Sequence, residues 1–312
     1  MALDLLWVAL GLGLLTAGGE GLIRGALALA TRFGATPLFA GVVVLGFGTS
    51  SPELLVSVDA TLSGRPDIAL GNVMGSNLGN ILLILGASAV IAPLAVAPRT
   101  LRRDGSVMLG ITLLAVLMTF GGCVTRLDGA LLLGCLVGYL VWLVSQERDV
   151  PMSAEEGAAP ELSLAAGLAW TVGGLLLLVA GARLLVNGAV GIAEGFGVSE
   201  AVIGLTLVAM GTSLPELTVS LLAALRKQVD LAVGNILGSN IFNLAGVLGV
   251  SALIGPLPIA GRMLTVDRWV MLAATLVLML FLLTRLRLSR IEGSLLLTAY
   301  GVYLWFSFAH MA

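Results

Sequence analysis

The stretch GTSSPELLVSVDATLSGRPDIALGNVMGSNLGN, residues 48–80, has a second copy in the chain: residues 211–243 read GTSLPELTVSLLAALRKQVDLAVGNILGSNIFN. The copy lies at a constant offset of 163 without a gap, and 18 of the 33 aligned positions are identical. The identities gather at the two ends, in Gly-Thr-Ser-x-Pro-Glu and in Gly-Asn-x-x-Gly-Ser-Asn-x-x-Asn. Those residues are polar and interrupt helices, yet they sit inside apolar sequence. A polar interruption that occurs twice in such a chain points to a transporter assembled from two repeats.

The surrounding composition sets the class. Hydrophobic residues make up 58% of the 312 and charged ones only 11%, with a mean hydropathy of +1.08. Soluble domains carry about 25% charged residues, so the chain reads as an all-α integral membrane protein with the lipid bilayer as its solvent. A net charge of −2 says little about partners, and the lack of any basic run argues against nucleic acid as one. Cys123 and Cys135 show no metal spacing and cannot build a disulfide framework, so they read as packing residues. No GxxxxGK[ST] motif is present, so ATP hydrolysis is not expected, and no enzyme activity or cofactor is implied. The first apolar run has no basic segment before it and no small-residue cleavage site, so it reads as a span rather than a signal peptide.

A spanning helix needs roughly 20 apolar residues. The first half offers 2–30, 38–64, 68–93, 105–121 and 127–145; the second offers 164–192, 201–226, 230–256, 267–284 and 292–311. Residues 1–145 and 164–312 thus form two five-helix repeats, joined by an acidic linker at 146–163. The repeat extends beyond its core: Gly25-Ala26, Phe33-Gly34 and Pro93-Leu94 match Gly188-Ala189, Phe196-Gly197 and Pro256-Leu257. Five is odd, so the second repeat enters the membrane from the opposite side and the two are inverted.

With both termini outside, ten basic residues fall in inner loops: Arg32, Arg99, Arg102, Arg103, Arg148, Arg226, Lys227, Arg285, Arg287 and Arg290. Four, Arg65, Arg126, Arg262 and Arg268, fall outside. The bias predicts a multi-pass protein of the inner (plasma) membrane with external termini and a cytoplasmic linker.

Glu53 and Glu216 fall near the middle of spans 2 and 7. A charge there costs about 2.5–3.5 kcal/mol on the permissive insertion scale, and the intramembrane arginines, Arg24 and Arg183, belong to other spans. A bound cation compensates the pair better. Pro52 and Pro215 lack an N–H, which frees the carbonyls of Gly48 and Gly211, and such carbonyls are tolerated at membrane depth where they are buried in protein or line a cavity. Thr49, Ser50, Thr212 and Ser213 add hydroxyls beside the bends; back-bonding to the helix is their bland alternative. Asn72, Asn77 and Asn80, repeated as Asn235, Asn240 and Asn243, add amides. For Asn72 and Asn235 a ligand role and an interhelical hydrogen bond both stand open. The donors are all hard oxygens, which suits Ca2+ and Na+; transition metals would favour His or Cys. Two carboxylates balance one divalent ion or hold monovalent ions, the chemistry of an exchanger.

At these motifs the chain resembles the sodium/calcium exchanger family of the cation/calcium antiporter superfamily, in its prokaryotic ten-helix form. GTSSPE and GTSLPE look like the openings of its two alpha repeats, and GNVMGSN and GNILGSN like their second halves. The resemblance implies an antiporter that exchanges Ca2+ for Na+ by alternating access. It implies Glu53 and Glu216 as central Ca2+ ligands, with further ion contacts from Thr49, Ser50, Thr212, Ser213, Ser76, Ser239, Asn80 and Asn243 and from carbonyls near Gly46 and Ala209. It also implies that spans 1 and 6 slide across the rest, and their Gly and Ala content reads as a sliding surface. Some microbial relatives carry Asp at the place of Asn243. Proton-coupled relatives show Gly-Asn-x-x-Glu where this chain has Gly-Thr-Ser-x-Pro-Glu, so Na+ is favoured over H+. A Ca2+/H+ antiporter is the alternative of the same fold, and a cation channel the one of another class.

Asp59 either lines an access path or sits at a wet helix end. Glu20 is placed to pair with Arg24 at i, i+4 or with Arg183, which occupies its equivalent position. Asp67 and Asp230 read as helix N-caps.

Overall fold

The computed structural model describes residues 2–147, 162–196, 209–259 and 261–309. The first repeat holds α1 (Ala2–Phe33), α2 (Pro37–Leu62), α3 (Pro66–Ile91), α4 (Pro98–Gly121) and α5 (Arg126–Glu147). The second holds α6 (Leu164–Gly195), α7 (Ala209–Gly211 and Leu214–Leu225), α8 (Val229–Ile254), α9 (Met263–Arg285) and α10 (Arg290–Ala309). Eight are long and apolar enough to cross a membrane as they stand. The start of the seventh expected span, 201–208, lies outside the described residues, and α10 opens on Arg290 and Glu292.

Proline sets several starts: Pro37, Pro66 and Pro98 each occupy the first helical turn, where the missing N–H is no loss. The fourth span therefore begins at Pro98 rather than at 105. Arg103 and Asp104 do not end it, because they neutralise each other in the interior: Nε to Oδ1 is 2.8 Å and Nη2 to Oδ2 is 3.1 Å. Arg103 is thus a buried helix residue rather than a loop charge, and the inner set of basic residues is one smaller than expected. Asp67 and Asp230 also differ from expectation. The N-cap positions are Arg65 and Gln228, and the two acids lie inside the first turn, where their charge favours the helix dipole without capping.

Inversion is visible in four short strands: β1 (Leu94–Ala95), β2 (Cys123–Val124), β3 (Leu257–Pro258) and β4 (Arg287–Leu288). β1 pairs antiparallel with β4, and β2 with β3. The 24 residues of α4 separate β1 from β2 by about 36 Å, so the two ribbons close opposite ends of the bundle. β3 is β1 displaced by 163 residues, yet it belongs to the other ribbon. Equivalent segments therefore lie on opposite membrane faces.

α1 and α6 run antiparallel with their backbones in contact. Glycines recur every seventh residue on both, at 11, 18 and 25 and at 167, 174, 181 and 188. A Cβ on Gly174 would stand 2.4 Å from the Leu22 nitrogen, and one on Gly18 2.7 Å from that of Leu178. This glycine stripe docks the two helices to each other. Gly174→Val is expected to cost about 1–3 kcal/mol by overpacking and to lower the unfolding midpoint in detergent. Gly173→Val, whose Cβ meets nothing within 4 Å, should leave it unchanged.

Candidate functional site

Pro52 and Pro215 do to the backbone what their chemistry requires. The helix of α2 breaks at Ser50 (φ −82°, ψ 7°) and that of α7 at Ser213 (φ −88°, ψ 5°), positions related by the repeat. Each break turns a hydroxyl toward the other repeat. Ser50 donates to Glu216 Oε1 at 2.8 Å, and Ser213 donates to Glu53 Oε1 at 3.1 Å. Each carboxylate is therefore held by the serine of the opposite half. Ser76 also approaches Glu53 Oε1, at 3.5 Å.

Both glutamates are fully buried, and on each the second oxygen, Oε2, has no hydrogen-bond partner among the described residues. A buried carboxylate oxygen without a donor is costly. Two of them stand at equivalent positions of the two repeats. Asn80 Oδ1 and both polar atoms of Asn243 are buried and unpartnered as well. The two amides differ in one respect. Asn80 donates to Asn240 Oδ1 at 3.1 Å, whereas the Asn243 side chain has no hydrogen-bond partner among the described residues. Wide π-type turns at Gly79–Leu85 and Phe242–Val247 carry these two asparagines, as such turns often do at functional positions.

The remaining residues expected at the site fall around this centre. Ser239 donates to the Gly46 carbonyl at 3.1 Å, tying α8 to the first half of α2. Thr49 reaches the Leu45 carbonyl at 2.9 Å and Asn235 Oδ1 at 3.2 Å, and Thr212 reaches Asn72 Oδ1 at 3.5 Å. Ala209 opens the short helical turn before the bend of α7.

Asn72 and Asn235 make interhelical hydrogen bonds. The Asn72 amide donates to the Glu53 carbonyl (3.0 Å) and to Ser57 Oγ (2.9 Å); the Asn235 amide donates to the Glu216 carbonyl (3.3 Å) and to Ser220 Oγ (2.9 Å). Each also accepts a threonine hydroxyl from the other repeat, so each braces both halves at once. Ser57 and Ser220 were missed in the sequence, although they are identical residues at the repeat offset. A second missed pair lies outside the centre: Tyr139 donates to Asp104 at 2.8 Å and Tyr303 to Asp267 at 3.2 Å, and the two aspartates are again 163 apart.

A cavity of about 550 Å³ leads to one side of the centre. Asn72, Ser76, Thr212 and Ser213 line its inner end, and Arg262, Asp267, Tyr303 and Ser307 line it farther out. It opens toward the ribbon of β2 and β3. The equivalents of its inner-end residues, Asn235, Ser239, Thr49 and Ser50, are all buried.

Two inverted repeats with carboxylates, hydroxyls and amides buried where they meet define a membrane transporter of the inverted-repeat class. The sodium/calcium exchanger protein model matches residues 3–145 and 166–309, and the chain belongs to that family. It is 42% identical over 319 residues to the putative antiporter CaxA of Alkalimonas amylolytica, covering 99% of this chain and 100% of that one. It is 36% identical to the inner membrane protein YrbG of Escherichia coli (strain K12), covering 79% and 78%. A solved structure of the sodium-calcium exchanger NCX_Mj superposes with a TM-score of 0.85 at 35% identity, covering 97% of this chain and 98% of that one.

Proposed function

We propose that this protein exchanges Ca2+ for Na+ across the inner membrane, through one central site that opens to the two faces in turn. The observation that carries this reading is the pair of buried, unpartnered oxygens on Glu53 and Glu216. They supply a charge of −2 that one Ca2+ balances, in a shell made only of oxygens. Thr49, Ser50, Ser76, Asn80, Thr212, Ser213, Ser239 and Asn243, with the carbonyls of Gly46 and Ala209, complete the ligand set for Ca2+ and Na+. Transport by rigid-body movement of one bundle against another needs no covalent chemistry and no resident cofactor.

Residues 1–145 and 164–312 act as the two halves, and residues 146–163 as a cytoplasmic linker. The arginine bias supports external termini, and the likeness to an inner membrane protein supports the location. The cavity then faces outside.

The test is 45Ca2+ uptake into proteoliposomes at clamped potential, with Na+ and H+ gradients imposed separately. Uptake driven by outward Na+ alone is expected. Uptake driven only by outward H+ would replace Na+ with protons in the reading, and uptake without either gradient would make it a channel. A further expectation concerns Asn243. Asn243→Asp places a protonatable carboxyl where the parent carries a buried amide that does not titrate. Exchange by the variant should fall as pH drops from 8 to 6, while wild-type exchange changes less over that range; equal pH profiles would remove Asn243 from the ion path.

A further inference from the structure

We propose that Arg183 and Asp59 form an ion pair in the opposite access state, in place of the Glu20–Arg226 pair seen here. The inference rests on the alternating-access reading above. In this structure Glu20 of α1 pairs with Arg24 (3.1 Å) and with Arg226 at the end of α7. Arg183, the other partner that the sequence offered, is not among its contacts. α1 reaches α7 along a defined face: a Cβ on Gly19 would lie 2.7 Å from Leu222 and 3.2 Å from Thr218.

Subtracting the repeat offset gives the matching face of α2. Thr218 becomes Leu55, Leu222 becomes Asp59, and Arg226 becomes Ser63. Where α1 covers the α7 face, the α2 face lies open: Leu55 is 65% exposed and Asp59 is exposed too. The element that would cover it is the equivalent of α1, which is α6. Gly19 and Glu20 correspond to Ala182 and Arg183. Exchanging the roles of the repeats therefore seats Ala182 against Asp59 and sets Arg183 beside that carboxylate.

The charges are complementary with their signs reversed. On α1 the acid is carried by the outer pair and the base by the core; on α6 the base is carried by the outer pair and the acid by the core. Among the described residues neither Arg183 nor Asp59 has an ion-pair partner in the present state, and both are exposed. An arginine within a spanning helix is costly in lipid, by about 2.5–3.5 kcal/mol on the insertion scale. A partner that becomes available in only one state makes the charge a bias on the equilibrium. Asp59 thereby acquires a role that neither an ion path nor a wet helix end provides.

The test uses the full chain with Cys123→Ser and Cys135→Ser, carrying Val56→Cys as a reporter. Val56 lines the cavity and is 38% exposed, so its modification rate by a methanethiosulfonate in lipid nanodiscs reads the open state. Asp59→Asn and Arg183→Gln are each expected to raise that rate. Glu20→Gln is expected to lower it. The exchanged pair Asp59→Arg with Arg183→Asp should return both the modification rate and Ca2+ exchange toward the parent values. On exchange, the two neutralised sites should be coupled by about 5-fold or more. Unchanged modification rates, or effects of the two single variants that simply multiply, would overturn the pair. A parent protein that modifies as expected but moves no Ca2+ in a Na+ gradient would overturn the antiport reading instead.

Discussion

Glu53→Gln and Glu216→Gln, each alone, are expected to lower Ca2+ affinity by a factor of 100 or more and to abolish exchange. Each glutamate is fully buried with one oxygen held by a serine of the other repeat and the other oxygen unpartnered. The amide keeps the shape and still accepts the serine proton. What it removes is the charge opposite a desolvated cation. Removing one member of a buried charge pair costs about 3–5 kcal/mol, and each 1.4 kcal/mol is about tenfold in binding. Equilibrium 45Ca2+ binding and flux on the same preparation check this. Size-exclusion behaviour like that of the parent shows that the variants are folded. Retention of tight binding by both would remove the two carboxylates from the site.

The second large effect is expected at a residue that binds no ion in this reading. Asn235→Ala removes the bonds to the Glu216 carbonyl and Ser220, and leaves Thr49 without one acceptor. Asn235, Ser220 and Thr49 are all fully buried. Stranding buried polar groups costs about 1–3 kcal/mol each, so the variant should lose several degrees of thermal stability and exchange poorly. Asn72→Ala, at a position open to the cavity where water can replace the lost partners, should be milder on stability. Thermal unfolding in detergent separates the two. Equal losses would mean that the two braces are loaded alike despite their different surroundings.

Much of this was legible in the chain because the information is local and doubled. The offset of 163 sets the repeats, hydropathy sets most of the spans, and the prolines point to bends near Gly48 and Gly211, which the structure puts two residues on, at Ser50 and Ser213. What sequence could not supply were pairings across the repeats. That Ser50 serves Glu216, and Ser213 serves Glu53, depends on how two inverted halves interlock, which no spacing encodes. Arg103 misled for a related reason. An Arg-Arg-Asp run reads as a loop until Asp104 and Tyr139 are seen to bury it. The glycines of α1 and α6 were legible as small residues but not as to what they touch.

Those glycines have a mechanical consequence. Their spacing is seven residues on both helices, about 10.5 Å of rise, and a side chain at any of them but Gly167 would strike backbone at 2.4–2.9 Å. The two helices cannot creep past one another by small increments; they are keyed like a rack. A displacement of either is therefore shared by the other. The two together form one stiff body that spans the membrane, and a movement at one face is carried to the other along the pair itself.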